Sequence, residues 1–430
     1  VYQSGSNFHL IKINGNATAV EDAIFATGDS VKVEVGANSH LMGQFGSGIH
    51  SGSVFVTDIQ NTGTVLGFAN GIQLDGGLDF EIAPIRVTQN HITNSGLIGN
   101  LSLSETDMAI VADLSRTTLD NVAGGTVLAS LNLVGGTLAG SGAIDVTGLT
   151  TWTGGTIAGV GVTSLNGGAN LSGAGVHDIS QRTVNLSGTT VWTNAGLSSG
   201  QIRLGSGAAL VNQGVFQDNT ASSTSINNNL GGGGTFTNNG TYTKSAATTT
   251  TVSSSVAFNN AAGATTSINA GTLVLNGSSS AGVINGSGTL EYDSGTNTLS
   301  RAPAVGVTTL VAGGTVTLTA ATPQAMSALS MTGGTVTLDV TGGTTLASLN
   351  LGGGVLAGSG TIDVAGLTTW TGGTMAGVGV TNLNGGANLS GSGTHDVTQR
   401  TLNLFGTTLW TNSGASTGQI RFGNGATAVN

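Results

Sequence analysis

Six histidines, twenty acidic residues and four tryptophans are the main side chains here that could carry chemistry. His177-Asp178 and His395-Asp396 place an imidazole beside a carboxylate, followed by Gln181-Arg182 and Gln399-Arg400. A His–Asp pair can orient a base for nucleophilic catalysis. The alternative is a polar corner in which Asp and Arg pair, and the occurrence of the same residues twice favours architecture. None of His9, His40, His50, His91, His177 and His395 stands in a His-x-His or His-x-x-x-His spacing. No catalytic residue is assigned.

The densest acidic stretch is Asp75-Gly76-Gly77-Leu78-Asp79-Phe80-Glu81. Asp75, Asp79 and Glu81 are weak candidates for Ca²⁺, which takes oxygen ligands. The stretch does not keep the glycine and aspartate order of the Ca²⁺-binding nonapeptide repeat, so a solvated turn is the plainer reading. Glu105, Asp107 and Asp113 form a looser group read the same way, and no other cofactor is indicated. Trp152, Trp192, Trp370 and Trp410 are the only tryptophans. Exposed, they would stack on sugar rings; buried, they would cap a core, which the composition favours. Gly231 to Gly234 has no following Lys-Ser/Thr, so it is not a phosphate loop.

What must position these residues is a repeat. Gly124 to Asn212 aligns without a gap on Gly342 to Asn430 at an offset of 218, with 68 of 89 positions identical. A fold that closes on itself has no place for such a copy, whereas one that grows by stacking does. The chain divides into residues 1–123, a 218-residue block at 124–341, and a second copy at 342–430 that stops in mid-motif, so a longer parent protein is expected.

A finer rhythm runs inside the block. Gly313-Gly314-Thr315-Val316, Gly333-Gly334-Thr335-Val336, Gly353-Gly354-Val355-Leu356 and Gly372-Gly373-Thr374-Met375 follow one another at steps of 20, 20 and 19. Val31, Val33 and Val35 alternate with polar residues, as do Val316 and Leu318, the pattern of half-buried strands. Asn-x-Gly corners such as Asn61-Thr62-Gly63 and Asn194-Ala195-Gly196 supply the positive φ of tight turns. The expected fold is all-β: a right-handed parallel β-helix, or β-solenoid, with coils of about 20 residues. Apolar side chains stack inward, and Thr, Ser and Asn face out or line corners. Residues 103–115 are the best candidate for a short helix.

Composition narrows the function. The chain carries 74 Gly among 430 residues, far above the norm of roughly 7%, and a net charge of −10 with only 10 Lys and Arg. Its cations are scattered, which excludes a nucleic-acid groove. No apolar run is long enough to span a membrane as a helix. The absence of Cys excludes disulfides and thiolate sites, and suits export through an oxidising compartment.

Trp152-Thr153-Gly154-Gly155-Thr156-Ile157-Ala158-Gly159, Gln181-Arg182-Thr183 and Trp192-Thr193, with their copies from Trp370 to Trp410, resemble Gly-rich β-strand repeats of giant bacterial surface proteins. Gly28-Asp29-Ser30-Val31 and Thr93-Asn94-Ser95-Gly96 look like passenger segments of autotransporter and filamentous-haemagglutinin-like adhesins. The resemblance implies a secreted, extracellular, cell-surface adhesin, stalk or filament without catalysis. Its partners would be a host or neighbouring cell surface or glycan, or itself, end to end as a fibre. A polysaccharide-binding or polysaccharide-degrading β-helix is the alternative, and ice binding by Thr ladders such as Thr248 to Thr251 a lesser one.

Overall fold

The computed structural model describes residues 125–412, 414 and 417–430. Before residue 125 it describes the segments 2–3, 8–14, 17–19, 24–35, 39–43, 49–61, 64–67, 72–74, 90–94, 97–99, 110–114 and 117–121. Among the described residues all regular structure is β, and there is no helix. The chain forms two compact units, Val1–Val215 with Asn229–Gly233, and Phe216–Asn228 with Gly234–Asn430. Each is a parallel β-solenoid.

In the first unit, strands Thr137–Gly140, Gly155–Ala158, His177–Ser180 and Ile202–Gly205 stack in parallel register. A second row is Ala143–Val146, Val162–Leu165, Thr183–Leu186 and Ala208–Asn212. The third is Thr150–Trp152, Ala169–Leu171 and Thr189–Trp192. Each coil thus lays down three short strands, because Gly, Asn and Ser corners interrupt the alternating runs after three to five residues. Thr137 pairs with Thr156, Thr156 with Asp178 and Asp178 with Arg203, so the steps are 19, 22 and 25 residues.

The second copy, in the second unit, repeats this. Val355 pairs with Thr374, Thr374 with Asp396 and Asp396 with Arg421, again 19, 22 and 25 residues. Between Thr315 and Leu351 the same unit uses two longer strands per coil. Thr315–Ala320 lies on Thr335–Val340, and Gln324–Met331 on Thr344–Leu351, at the 20-residue step of the Gly-Gly motif. Thr344–Leu351 then pairs with both Ile362–Val364 and Thr368–Trp370, so one long strand hands over to two short ones.

Inward residues stack into columns. Leu138, Ile157, Ile179 and Leu204 are in register and fully buried. Leu133, Trp152, Leu171 and Trp192 form a second buried column, which places the two tryptophans two coils apart in one line. Each buried Leu or Ile contributes about 1.5–3 kcal/mol relative to exposure.

Two expectations are corrected. Ile110–Leu114, within the helix candidate, is a strand paired with Gly125–Leu133; residues 103–109 and 115 lie outside the described set. The β-branched pair Ile110-Val111 suits a strand, and strand pairing prevails there. Threonine, moreover, does not keep to the outside: Thr150, Thr163, Thr190, Thr250, Thr266 and Thr368 are fully buried. Nearly isosteric with Val, Thr fills an inward position of a strand as well as it decorates an outward one.

Candidate functional site

The twice-built corner around His177 and His395 is the richest constellation the sequence singles out. Side chains alternate across a strand, so in His177–Ser180 the imidazole points inward while Asp178 points outward. His177 is fully buried, and its ring meets Trp152 edge-on at a centroid distance of 5.2 Å and 80°. Its Nε2 donates to the Trp152 carbonyl at 2.9 Å. His395 repeats this on Trp370, with Nε2 2.8 Å from the carbonyl and rings 5.2 Å apart at 77°. Burial pushes the His177 pKa below its usual value, so the ring is neutral at pH 7.

Asp178 does not orient this imidazole. Its Oδ1 and Oδ2 accept Nε and Nη2 of Arg203, both at 2.6 Å, in a bidentate pair on the coil above. Asp396 and Arg421 do the same at 2.6 Å, and Arg421 holds the Asp396 carboxyl below its usual pKa. The corner therefore has no base-and-carboxylate relay. The Asp–Arg pairing expected within it is formed with a different arginine, because Arg182 and Arg400 turn inward.

Arg182 is fully buried and donates five hydrogen bonds. Nε reaches Thr163 Oγ1 at 2.7 Å; Nη1 reaches the carbonyls of Gly140 at 2.7 Å and Ala158 at 3.1 Å; Nη2 reaches those of Gly142 at 2.8 Å and Val162 at 3.1 Å. Arg400 repeats all five, on Thr381, Gly358, Ala376, Gly360 and Val380, between 2.6 and 3.1 Å. Every acceptor is neutral. Burial lowers the pKa of both arginines to about 10, which leaves them charged at neutral pH. The guanidinium fork adds donors to the corner carbonyls, and Gly140 O also accepts Gly161 N at 3.3 Å. Gln181 and Gln399, with φ of 60° and 57°, turn the chain so that the arginine enters the interior.

The tryptophans divide. Trp152, Trp192 and Trp370 are at most 1% exposed and have no face to offer a sugar ring, whereas Trp410, the repeat equivalent of Trp192, is 57% exposed in the last coil, where Leu409, Phe422 and Val429 are exposed as well. Trp192 Nε1 donates to Gly200 O at 2.8 Å and Trp410 Nε1 to Gly418 O at 2.9 Å, so each also clasps the loop that lengthens its coil to 25 residues. Asp75, Asp79 and Glu81 lie outside the described residues, as do Glu105 and Asp107. Among the described residues no group of three His, Cys, Asp or Glu could hold a metal ion.

Sequence reasoning missed the densest polar cluster, around Asp218, Tyr242 and Lys244 in the second unit, all fully buried. The signal was parity: Asp218 follows Phe216 by two residues and Lys244 follows Tyr242 by two, so each charge shares an inward face with an aromatic ring.

No protein-family description, no curated protein and no solved structure matches this chain.

Proposed function

We propose that this chain is a non-catalytic scaffold of a secreted bacterial cell-surface repeat protein, an adhesin, stalk or fibre. One observation carries the reading: the two copies devote the same polar side chains to holding coils together. Arg182 and Arg400 bind corner carbonyls, His177 and His395 bind tryptophan carbonyls, and Asp178 and Asp396 bind the arginine of the next coil. A duplicated set of this kind is what lengthening a solenoid requires, since each new coil must close against the last. Autotransporter and filamentous-haemagglutinin-like adhesins are the families whose Gly-rich strand repeats this chain resembles. Binding would come from the outward Thr, Asn and Gly faces, toward a cell surface or glycan, or toward a second copy end to end.

Binding of the purified chain to glycan arrays, matrix proteins and cultured cells tests the reading, alongside antibody labelling of intact producing cells. Surface labelling together with saturable binding, or with concentration-dependent assembly in sedimentation, supports it. Labelling only after lysis, or release of reducing ends or unsaturated sugars from a polysaccharide panel, overturns it.

A further inference from the structure

Asp218, Tyr242 and Lys244 have no part in the corner just described. Asp218 Oδ2 accepts Tyr242 Oη at 2.7 Å and Thr250 Oγ1 at 2.5 Å, while Oδ1 accepts Thr220 Oγ1 at 2.8 Å and Thr220 N at 3.3 Å. Lys244 Nζ stands 3.6 Å from Asp218 Oδ2 and donates to Thr248 Oγ1 at 3.1 Å. Thr248 Oγ1 in turn donates to Thr220 O at 2.8 Å. The rings of Phe216, Phe236, Tyr242 and Phe258 pack beside the cluster with centroids 5.3–5.9 Å apart, Phe216 and Tyr242 stacked at 10°.

This is a fully buried ammonium and carboxylate in aromatic surroundings. Direct N⁺–H···O⁻ bonds run to about 2.7–2.9 Å, and the Lys244–Asp218 separation is well beyond that. Burying the two charges costs several kcal/mol per ion in general, and the carboxylate is held by hydroxyls more closely than by the lysine. Condensation would remove both charges and release one water from a fully buried site.

We propose that Lys244 Nζ and Asp218 Cγ form an intramolecular amide, an autocatalytic cross-link between one coil and the next. The atoms balance without a co-reactant. One ammonium proton passes to Oδ1, giving an amine and a carboxylic acid. The amine lone pair attacks Cγ, so the Nζ–Cγ bond forms and negative charge develops on Oδ2. Tyr242 Oη and Thr250 Oγ1, which already donate to that oxygen, stabilise the charge as preorganised donors. Collapse breaks the Cγ–Oδ1 bond, and Oδ1 leaves as water with its own proton and a second from Nζ. Burial lowers the Lys244 pKa, which favours the amine form, and raises that of Tyr242, which keeps the phenol a donor. The aromatic packing withholds the water that would hydrolyse the product.

Denaturing intact-mass spectrometry of the whole chain decides the matter. The expected mass is lower than the sequence mass by one water. Trypsin then fails to cut after Lys244, and tandem spectra show a branched peptide joining Lys244 to Asp218. Succinimide formation at Asp218-Asn219 would lose the same mass, but it leaves Lys244 cleavable and persists in Lys244→Met. The branched peptide is absent from that variant. Tyr242→Phe, which keeps the ring, accumulates the cross-link about a hundredfold more slowly, the usual effect of losing one oxyanion donor. Wild-type chain at full sequence mass, or a loss of water with Lys244 still cleaved, overturns the proposal without reference to any variant.

Discussion

Arg182 Nη1 donates to the carbonyl of Gly140 at 2.7 Å, across 42 residues of chain and two coils of the solenoid. Arg400 meets Gly358 at 2.9 Å across the same 42 residues. Removing either side chain deletes five hydrogen bonds at once, although Gly140 O keeps Gly161 N at 3.3 Å, and a buried polar group left without a partner costs about 1–3 kcal/mol. Arg182→Met and Arg400→Met are therefore each expected to destabilise by about 3 kcal/mol or more. Lysine, with one donor centre in place of a fork, should rescue less than half of that. Amide hydrogen exchange around residues 140–163 or 358–381 is the suitable measurement, because long repeat arrays need not unfold in one step.

Gly161 and Gly207 separate two reasons for glycine. A Cβ on Gly161 would crowd the Gly142 carbonyl and lie 2.8 Å from Arg182 Nη1, whereas Gly207 has a φ of +80° and open space around it. Gly207→Ala carries only the left-handed backbone cost of about 1–2 kcal/mol. Gly161→Ala has to displace packed backbone and should cost more than that. Urea titrations of both variants check the order, and Gly379→Ala should behave like Gly161→Ala because its Cβ would sit 3.0 Å from Arg400 Nη1.

The buried His177 makes stability depend on pH. Its pKa is depressed in the fold from an ordinary 6.5 by burial. Below 6.5 the unfolded chain binds a proton that the folded chain refuses, so stability is complete above 6.5 and declines as pH falls toward the folded value. Melting between pH 7.5 and 5 should show that decline, and His177→Gln should flatten it. The Asp396 carboxyl, depressed from 3.8 by Arg421, contributes at lower pH, where stability falls as that group is protonated.

Trp410 is the tryptophan that solvent reaches. Acrylamide should quench one of four emitters, and Trp410→Phe should abolish that fraction and shift the remaining emission to the blue.

Much of the fold was legible because a solenoid writes itself into sequence as a period. The Gly-Gly-Thr-Val steps give the coil length, and alternation gives the inward columns. The corner was only half legible. That His177, Asp178 and Arg182 act in both copies follows from the duplication, but which arginine meets Asp178 does not. Arg203 lies 25 residues on, and only the register of His177–Ser180 with Ile202–Gly205 brings the two together. Parity marks Asp218 as inward-facing, but its partners were illegible for the same reason: Tyr242 and Thr250 are 24 and 32 residues away on other strands.

All five acceptors of Arg182 lie earlier in the chain than Arg182, between residues 140 and 163. Arg400 likewise reaches only backward, to residues 358–381. In a polypeptide that emerges amino terminus first, whether from a ribosome or a secretion pore, each latch arrives after everything it fastens. It closes on coils already laid and waits for none still to come. Such an order gives assembly a direction, and each clasp hinders the finished portion from slipping back.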